Sequence, residues 1–118
     1  MGWLPRSTRG TGVEPAEVND LARRGAVVLD VRETSEWDDG HAPGARHVPI
    51  GSLGGQLDSL PRDRVLVVVC RSGHRSARAT AVLRRSGFDA VNLDGGMQAW
   101  AAAGLPVAST DGRPGTVA

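Results

Sequence analysis

One side chain in this sequence is an evident nucleophile. Cys70 is the single cysteine among 118 residues. It ends the run Val65-Leu66-Val67-Val68-Val69, and Arg71-Ser72-Gly73-His74-Arg75-Ser76 follows at once. Five apolar, mostly β-branched residues in a row read as a strand buried on both faces. Residues 77–85 are rich in Ala, Leu and Arg and contain no breaker. They read as a helix with Ser76 as its N-cap. A loop from the C-end of a buried strand to a helix start is where open α/β proteins hold their ligands. Its backbone N–H groups lack partners and face the positive end of the helix dipole, which suits an anion. A thiol at that mouth ionises more easily than free cysteine, whose pKa is about 8.5. Arg71 and Arg75, with Arg78 further along the helix, push the same way. These residues describe a nucleophilic cysteine in an anion-binding cradle.

The remaining chain must build the sheet that carries this strand. Residues 13–22 carry Pro15 near a helix start and apolar Val18, Leu21 and Ala22, a short helix closed by Arg23, Arg24 and Gly25. Residues 26–32 form a second apolar run, with Asp30 and Arg32 at its C-end. That pair reads as scaffold, an ion pair holding loops, with Arg32 also able to contribute to the electrostatics of the site. Residues 33–39 form a polar turn or short helix anchored by Trp37. The loop 40–45 holds His41, whose place beside Pro43-Gly44 suits backbone bonding more than catalysis. Residues 47–50 read as a short strand that Pro49 ends or pushes to a sheet edge. Leu53, Leu57 and Leu60 mark a weak amphipathic helix loosened by Gly54 and Gly55. Residues 90–93 are a last strand, and 97–103 a closing helix anchored by Trp100. Strands and helices alternate, so the expectation is a three-layer α/β domain. Its central, mainly parallel sheet would have about five strands, with helices on both faces. Residues 1–12 read as a flexible arm, in which Trp3 and Leu4 are the side chains able to dock, and 108–118 as a flexible tail. The domain itself is expected over 13–107, with no repeat and no second domain.

The segment Cys-Arg-Ser-Gly-His-Arg-Ser resembles the active-site loop of rhodanese-type sulfurtransferases, whose common form is Cys-x-x-Gly-x-Arg-Ser. Other blocks match in order. Leu29-Asp30-Val31-Arg32 resembles the family's Leu-Asp-Val-Arg. Glu36-Trp37 with Gly40-His41-Ala42-Pro43-Gly44-Ala45 resembles Glu-Trp-x-x-Gly-His-Ile-Pro-Gly-Ala, with Ala42 replacing a larger apolar residue. Asp94-Gly95-Gly96-Met97-Gln98-Ala99-Trp100 resembles Gly-Gly-x-x-Ala-Trp, and Gly104-Leu105-Pro106-Val107 continues it. The likeness spans residues 13–107. It implies a rhodanese-like domain that moves a sulfane sulfur from a donor such as thiosulfate to a thiophilic acceptor, cyanide or a thiol, through a persulfide on Cys70. Arg71, Ser72, Gly73, His74, Arg75 and Ser76 would hold donor and persulfide, while Asp30, Arg32 and His41 support them. The alternative is a protein thiol as acceptor.

Three readings compete. Phosphatase or arsenate-reductase chemistry on a similar fold uses a loop one residue longer, whereas four residues separate Cys70 from Arg75 here. The tighter loop suits a sulfur atom better than a tetrahedral oxyanion. A non-catalytic interaction module would not need the intact cysteine. A persulfide relay differs from a thiosulfate enzyme only in its acceptor. Composition narrows the setting. One cysteine excludes an internal disulfide. All 14 basic residues are arginine against 13 acids, for a net charge of +1, which does not point to nucleic acid. No apolar run approaches the roughly 20 residues of a membrane span, and the first residues lack a signal-peptide core. The expectation is a cytoplasmic protein with no membrane partner. His41, His47 and His74 are scattered without zinc-ligand spacing, so neither metal nor cofactor is expected.

Overall fold

The computed structural model describes residues 11–117. In chain order the elements are β1 (Gly12–Val13), α1 (Pro15–Arg23), β2 (Val27–Asp30), α2 (Thr34–Asp39), β3 (Arg46–His47), two 3₁₀ turns (Ile50–Gly55 and Leu57–Ser59), β4 (Leu66–Val69), α3 (His74–Arg85), β5 (Ala90–Leu93) and α4 (Gly96–Ala102). The five strands form one sheet in the order β1-β5-β4-β2-β3, and every pairing is parallel. The α/β expectation stands, with the sheet wholly parallel.

β4 lies in the middle of the sheet, and all four of its residues are buried. Side chains alternate across a strand, so it feeds two cores. Leu66, Val68 and Cys70 pack with Ala79 and Leu83 of α3, Phe88 and the 3₁₀ residue Leu53 on one face. Val67 and Val69 pack with Val18 and Leu21 of α1 and Met97 and Trp100 of α4 on the other. Each fully buried Val or Leu contributes about 1.5–3 kcal/mol relative to exposure. This rigid strand places the thiol: Val69 sits level with Asp30 of β2, and Val68 with Asn92 of β5.

Several local expectations shift. The helix after the loop begins at His74, three residues early, because Gly73 serves as N-cap in the left-handed region at φ 102°. Ser76 therefore lies inside α3 and is no cap. The fifth strand, β1, comes from Gly12 and Val13, at the edge of the stretch expected to be an arm; residues 1–10, with Trp3 and Leu4, lie outside the described residues. β3 ends at His47, before the apolar pair Val48 and Ile50. Leu53 and Leu57 lie in 3₁₀ turns, the tighter geometry used in short pieces, and Leu60 follows them in extended conformation. Residues 108–117, expected as a flexible tail, lie along the loop at residues 38–41. His41 and Ala108 exchange N–H···O bonds of 2.9 Å each way, and the Thr116 N–H donates to Asp39 O at 2.9 Å.

Candidate active site

β4 delivers Cys70 to the base of the loop, where the residue is 1% exposed. The Gly73 N–H lies 3.1 Å from its Sγ, and the Ser76 hydroxyl 3.3 Å away. Burial is the largest single influence on this thiol and works against ionisation. The Ser76 hydroxyl and the backbone N–H groups of Ser76, Gly73 and Ser72 together outweigh it. The thiol is therefore held below its ordinary value. Convergent donors around one sulfur stabilise negative charge there.

Two glycines make the curve possible. At Gly73 the positive φ turns the chain so that its N–H reaches back to the sulfur. At Gly96 a Cβ would stand 2.4 Å from Cys70 O and 2.6 Å from Arg71 O. Its absence lets α4 approach the loop from behind. There the Met97 N–H donates to Cys70 O at 2.8 Å and the Gln98 N–H to Arg71 O at 3.0 Å. The start of α4 thus satisfies the loop's carbonyls, leaving its amides to face the sulfur.

The loop side chains divide by role. Arg75 forms a two-pronged pair with Glu36, with Nη1–Oε1 and Nη2–Oε2 both 2.8 Å. These bonds hold the Glu36 carboxyl down at about 2, from an ordinary 4.5, against the opposing effect of burial. Glu36 also accepts the Glu33 N–H at 3.0 Å, so one carboxylate closes the first turn of α2 and moors α3 to it. Arg75 remains beside the thiol and interacts electrostatically with it, but much of its charge is already answered. Arg71 and His74 are exposed, and His74 Nδ1 lies 3.1 Å from Ser72 Oγ. Arg71 also helps to line a hollow of about 250 Å³ with Arg32, Ser35, Glu36 and Asp39.

Asp30, Arg32 and His41 stand at the neighbouring strand end. Arg32 Nε lies 2.9 Å from Asp30 Oδ1, and its Nη2 lies 2.8 Å from Asp30 Oδ2 and 2.7 Å from Gly40 O. Asp30 is 0% exposed and Arg32 1%. His41 Nδ1 bonds Trp37 O at 2.7 Å, and its ring stacks on Trp37 at 3.6 Å between centroids. His47 stacks on the same indole and bonds Arg32 O through Nε2 at 2.8 Å. These contacts tie the end of β2 to α2 and to the loop at residues 40–41. Among the described residues no three His, Cys, Asp or Glu side chains gather as metal ligands would, and no helix is long and apolar enough to cross a membrane.

Asn92 was not singled out from the sequence. It is 7% exposed, accepts the Ser76 hydroxyl through Oδ1 and donates through Nδ2 to Gly73 O at 3.3 Å and to Asp94 Oδ1 at 3.2 Å. Its signal was available: a lone amide inside the otherwise apolar run Ala90-Val91-Asn92-Leu93 must find buried partners.

Comparison with known proteins agrees with this geometry. The chain is 40% identical over 101 residues to the Mycobacterium tuberculosis protein named "Probable adenylyltransferase/sulfurtransferase MoeZ", covering 81% of this chain but only 26% of that protein. It is 36% identical over 89 residues to "Thiosulfate sulfurtransferase GlpE" of Pseudomonas aeruginosa, covering 75% of this chain and 81% of the relative. Among solved structures, a rhodanese-related protein from Thermoplasma volcanium superposes with a TM-score of 0.77 at 33% identity, covering 82% of this chain and 96% of its own. Residues 14–103 match the family model of the rhodanese-like domain, and with the five-stranded parallel sheet and the Cys70 loop in place, the chain belongs to the rhodanese-like domain family.

Proposed function

We propose that the protein is a sulfurtransferase that carries a sulfane sulfur on Cys70, with thiosulfate or a similar small anion as donor and cyanide or a thiol as acceptor. The observation that carries this reading is the convergence of the Gly73 N–H and the Ser76 hydroxyl on one sulfur whose pKa is lowered. The names of the smaller relatives support it.

The chemistry runs in two displacements. Cys70 gives its proton to solvent, and the thiolate attacks the outer sulfur of thiosulfate. An S–S bond forms to Cys70, the sulfur–sulfur bond of the donor breaks, and sulfite leaves with the electron pair. The product is a persulfide anion on Cys70. An acceptor nucleophile then attacks the terminal sulfur; cyanide leaves as thiocyanate, and the Cys70 thiolate is restored. Amide N–H groups aimed at the sulfur stabilise each anionic state without reorganising. Arg71, at the mouth, supplies positive charge for the incoming anion, and Arg75 adds to it from behind its pair with Glu36. Donors fixed on the sulfur itself favour this reading over phosphoryl transfer, which needs them on an oxyanion in front of it.

Thiocyanate formation from thiosulfate and cyanide tests the proposal. The wild type should turn over and Cys70→Ser should not; equal rates in the two proteins would refute it.

A further inference from the structure

A single proton on the Ser76 hydroxyl faces two acceptors, Cys70 Sγ and Asn92 Oδ1. It can serve one at a time. Which way Asn92 points is settled by its other partners. Gly73 O and Asp94 Oδ1 are both acceptors, so they require the Nδ2 hydrogens. Turning the amide over would set its oxygen against a carbonyl and a carboxylate. Oδ1 therefore faces Ser76. Asp94 is itself held, since its backbone N–H donates to Val13 O at 2.9 Å, while the Asn92 N–H donates to Thr11 O. Residues 11–13, which include strand β1, thus pin Asn92 and Asp94.

We propose that Asn92 is a positioning residue that governs the Ser76 proton, holding it in the thiol state and releasing it to sulfur when Cys70 becomes anionic. In the thiol state Cys70 S–H donates to Ser76 Oγ, and Ser76 O–H donates to Asn92 Oδ1. When the thiol proton passes to water, the hydroxyl rotates about its Cβ–Oγ bond and donates to the sulfur, and the buried Asn92 oxygen gives up its donor. Asn92 therefore favours the thiol and restrains the resting reactivity of Cys70, while keeping Ser76 within reach of the charged forms. The inference rests on Cys70 working as a thiolate, as in the function proposed above.

Other titratable groups surround this cluster. Arg75 with Glu36, Arg71 and His74 lie on the loop side, Asp94 lies beyond Asn92, and the Asp30–Arg32 pair occupies the neighbouring strand end. None is changed in the test. The rate of Cys70 alkylation by iodoacetamide is followed against pH in the wild type, Asn92→Ala, Ser76→Ala and the double variant. Asn92→Ala should lower the midpoint by about 0.5–1 pH unit, the size of one hydrogen bond. Ser76→Ala should raise it. With Ser76 absent, Asn92→Ala should have no effect, because its route to the sulfur is gone. A midpoint that is unmoved or raised in Asn92→Ala, or one that moves equally in both backgrounds, overturns the proposal.

A second reading uses the unaltered protein. The side-chain carbonyl carbon of Asn92, followed by NMR, should titrate at the alkylation midpoint of Cys70, and a resonance flat through that pH overturns the proposal. Neither measurement needs a sulfur donor, so absence of sulfur transfer leaves both readable.

Discussion

Two neighbouring strand ends bury polar groups in opposite ways. At the end of β2, Asp30 and Arg32 satisfy each other, and Arg32 uses a remaining N–H on Gly40 O. That arrangement is closed: cation, anion and carbonyl are matched, and the pair braces α2 and the His41 loop. At the end of β4, donors from Gly73 and Ser76 converge on a single sulfur, while the cation near it, Arg75, is already paired with Glu36. That arrangement is unfinished, and it is completed when the sulfur becomes an anion. A matched buried pair leaves neither charge in want of a partner, whereas an excess of donors around one ionisable atom favours its charged form.

This contrast can be broken most sharply at Cys70. Cys70→Ser should abolish sulfur transfer and leave the melting temperature nearly unchanged, since the new hydroxyl meets the donors that served the thiol; calorimetry beside the thiocyanate assay checks both halves. Next in size is Arg32→Ala, which strands the Asp30 carboxylate in the core. It should cost about 3–5 kcal/mol in urea unfolding, and a variant with normal stability but lost activity would move Arg32 from scaffold to chemistry. Ser76→Ala should slow alkylation of Cys70 at neutral pH by roughly tenfold, the effect of one charge-assisted bond.

The Arg75–Glu36 pair lies between the two regions in kind. Its side chains are 30% and 23% exposed, so solvent screening limits Glu36→Gln to a loss of about 1 kcal/mol. The pH sign follows from the depressed carboxyl. The pair's contribution is complete above about 4.5 and disappears as pH falls through about 2. The acid limb of the wild-type stability curve should therefore flatten in Glu36→Gln. Arg75→Ala should weaken donor use more than stability, and the reverse pattern would make it a strut alone. The smallest effect is expected for His74→Ala, an exposed loop side chain bonded to Ser72.

Much of this was legible in the sequence because it is local. The apolar run before Cys70, the lone thiol and the strand 90–93 announce themselves by composition. What escaped depends on partners far along the chain. Nothing near Ser76 says that its hydroxyl turns inward to Asn92, sixteen residues on. The early start of α3 follows from the conformation of Gly73, whose turn is set by the sulfur it must reach. β1 is two residues long, too short for any periodic signal, and exists because β5 offers an open edge. The pairing of Ala108 with His41 joins segments that neither composition nor period connects. Glu36 was visible only as part of a family pattern; its bond to Arg75 crosses 39 positions.

The most direct test of the central claim is intact mass after incubation with thiosulfate, followed by a cyanide wash. The account predicts a gain of one sulfur atom on the wild type, removed by cyanide and absent from Cys70→Ser. An unchanged mass, or a sulfur that persists in Cys70→Ser, would contradict it.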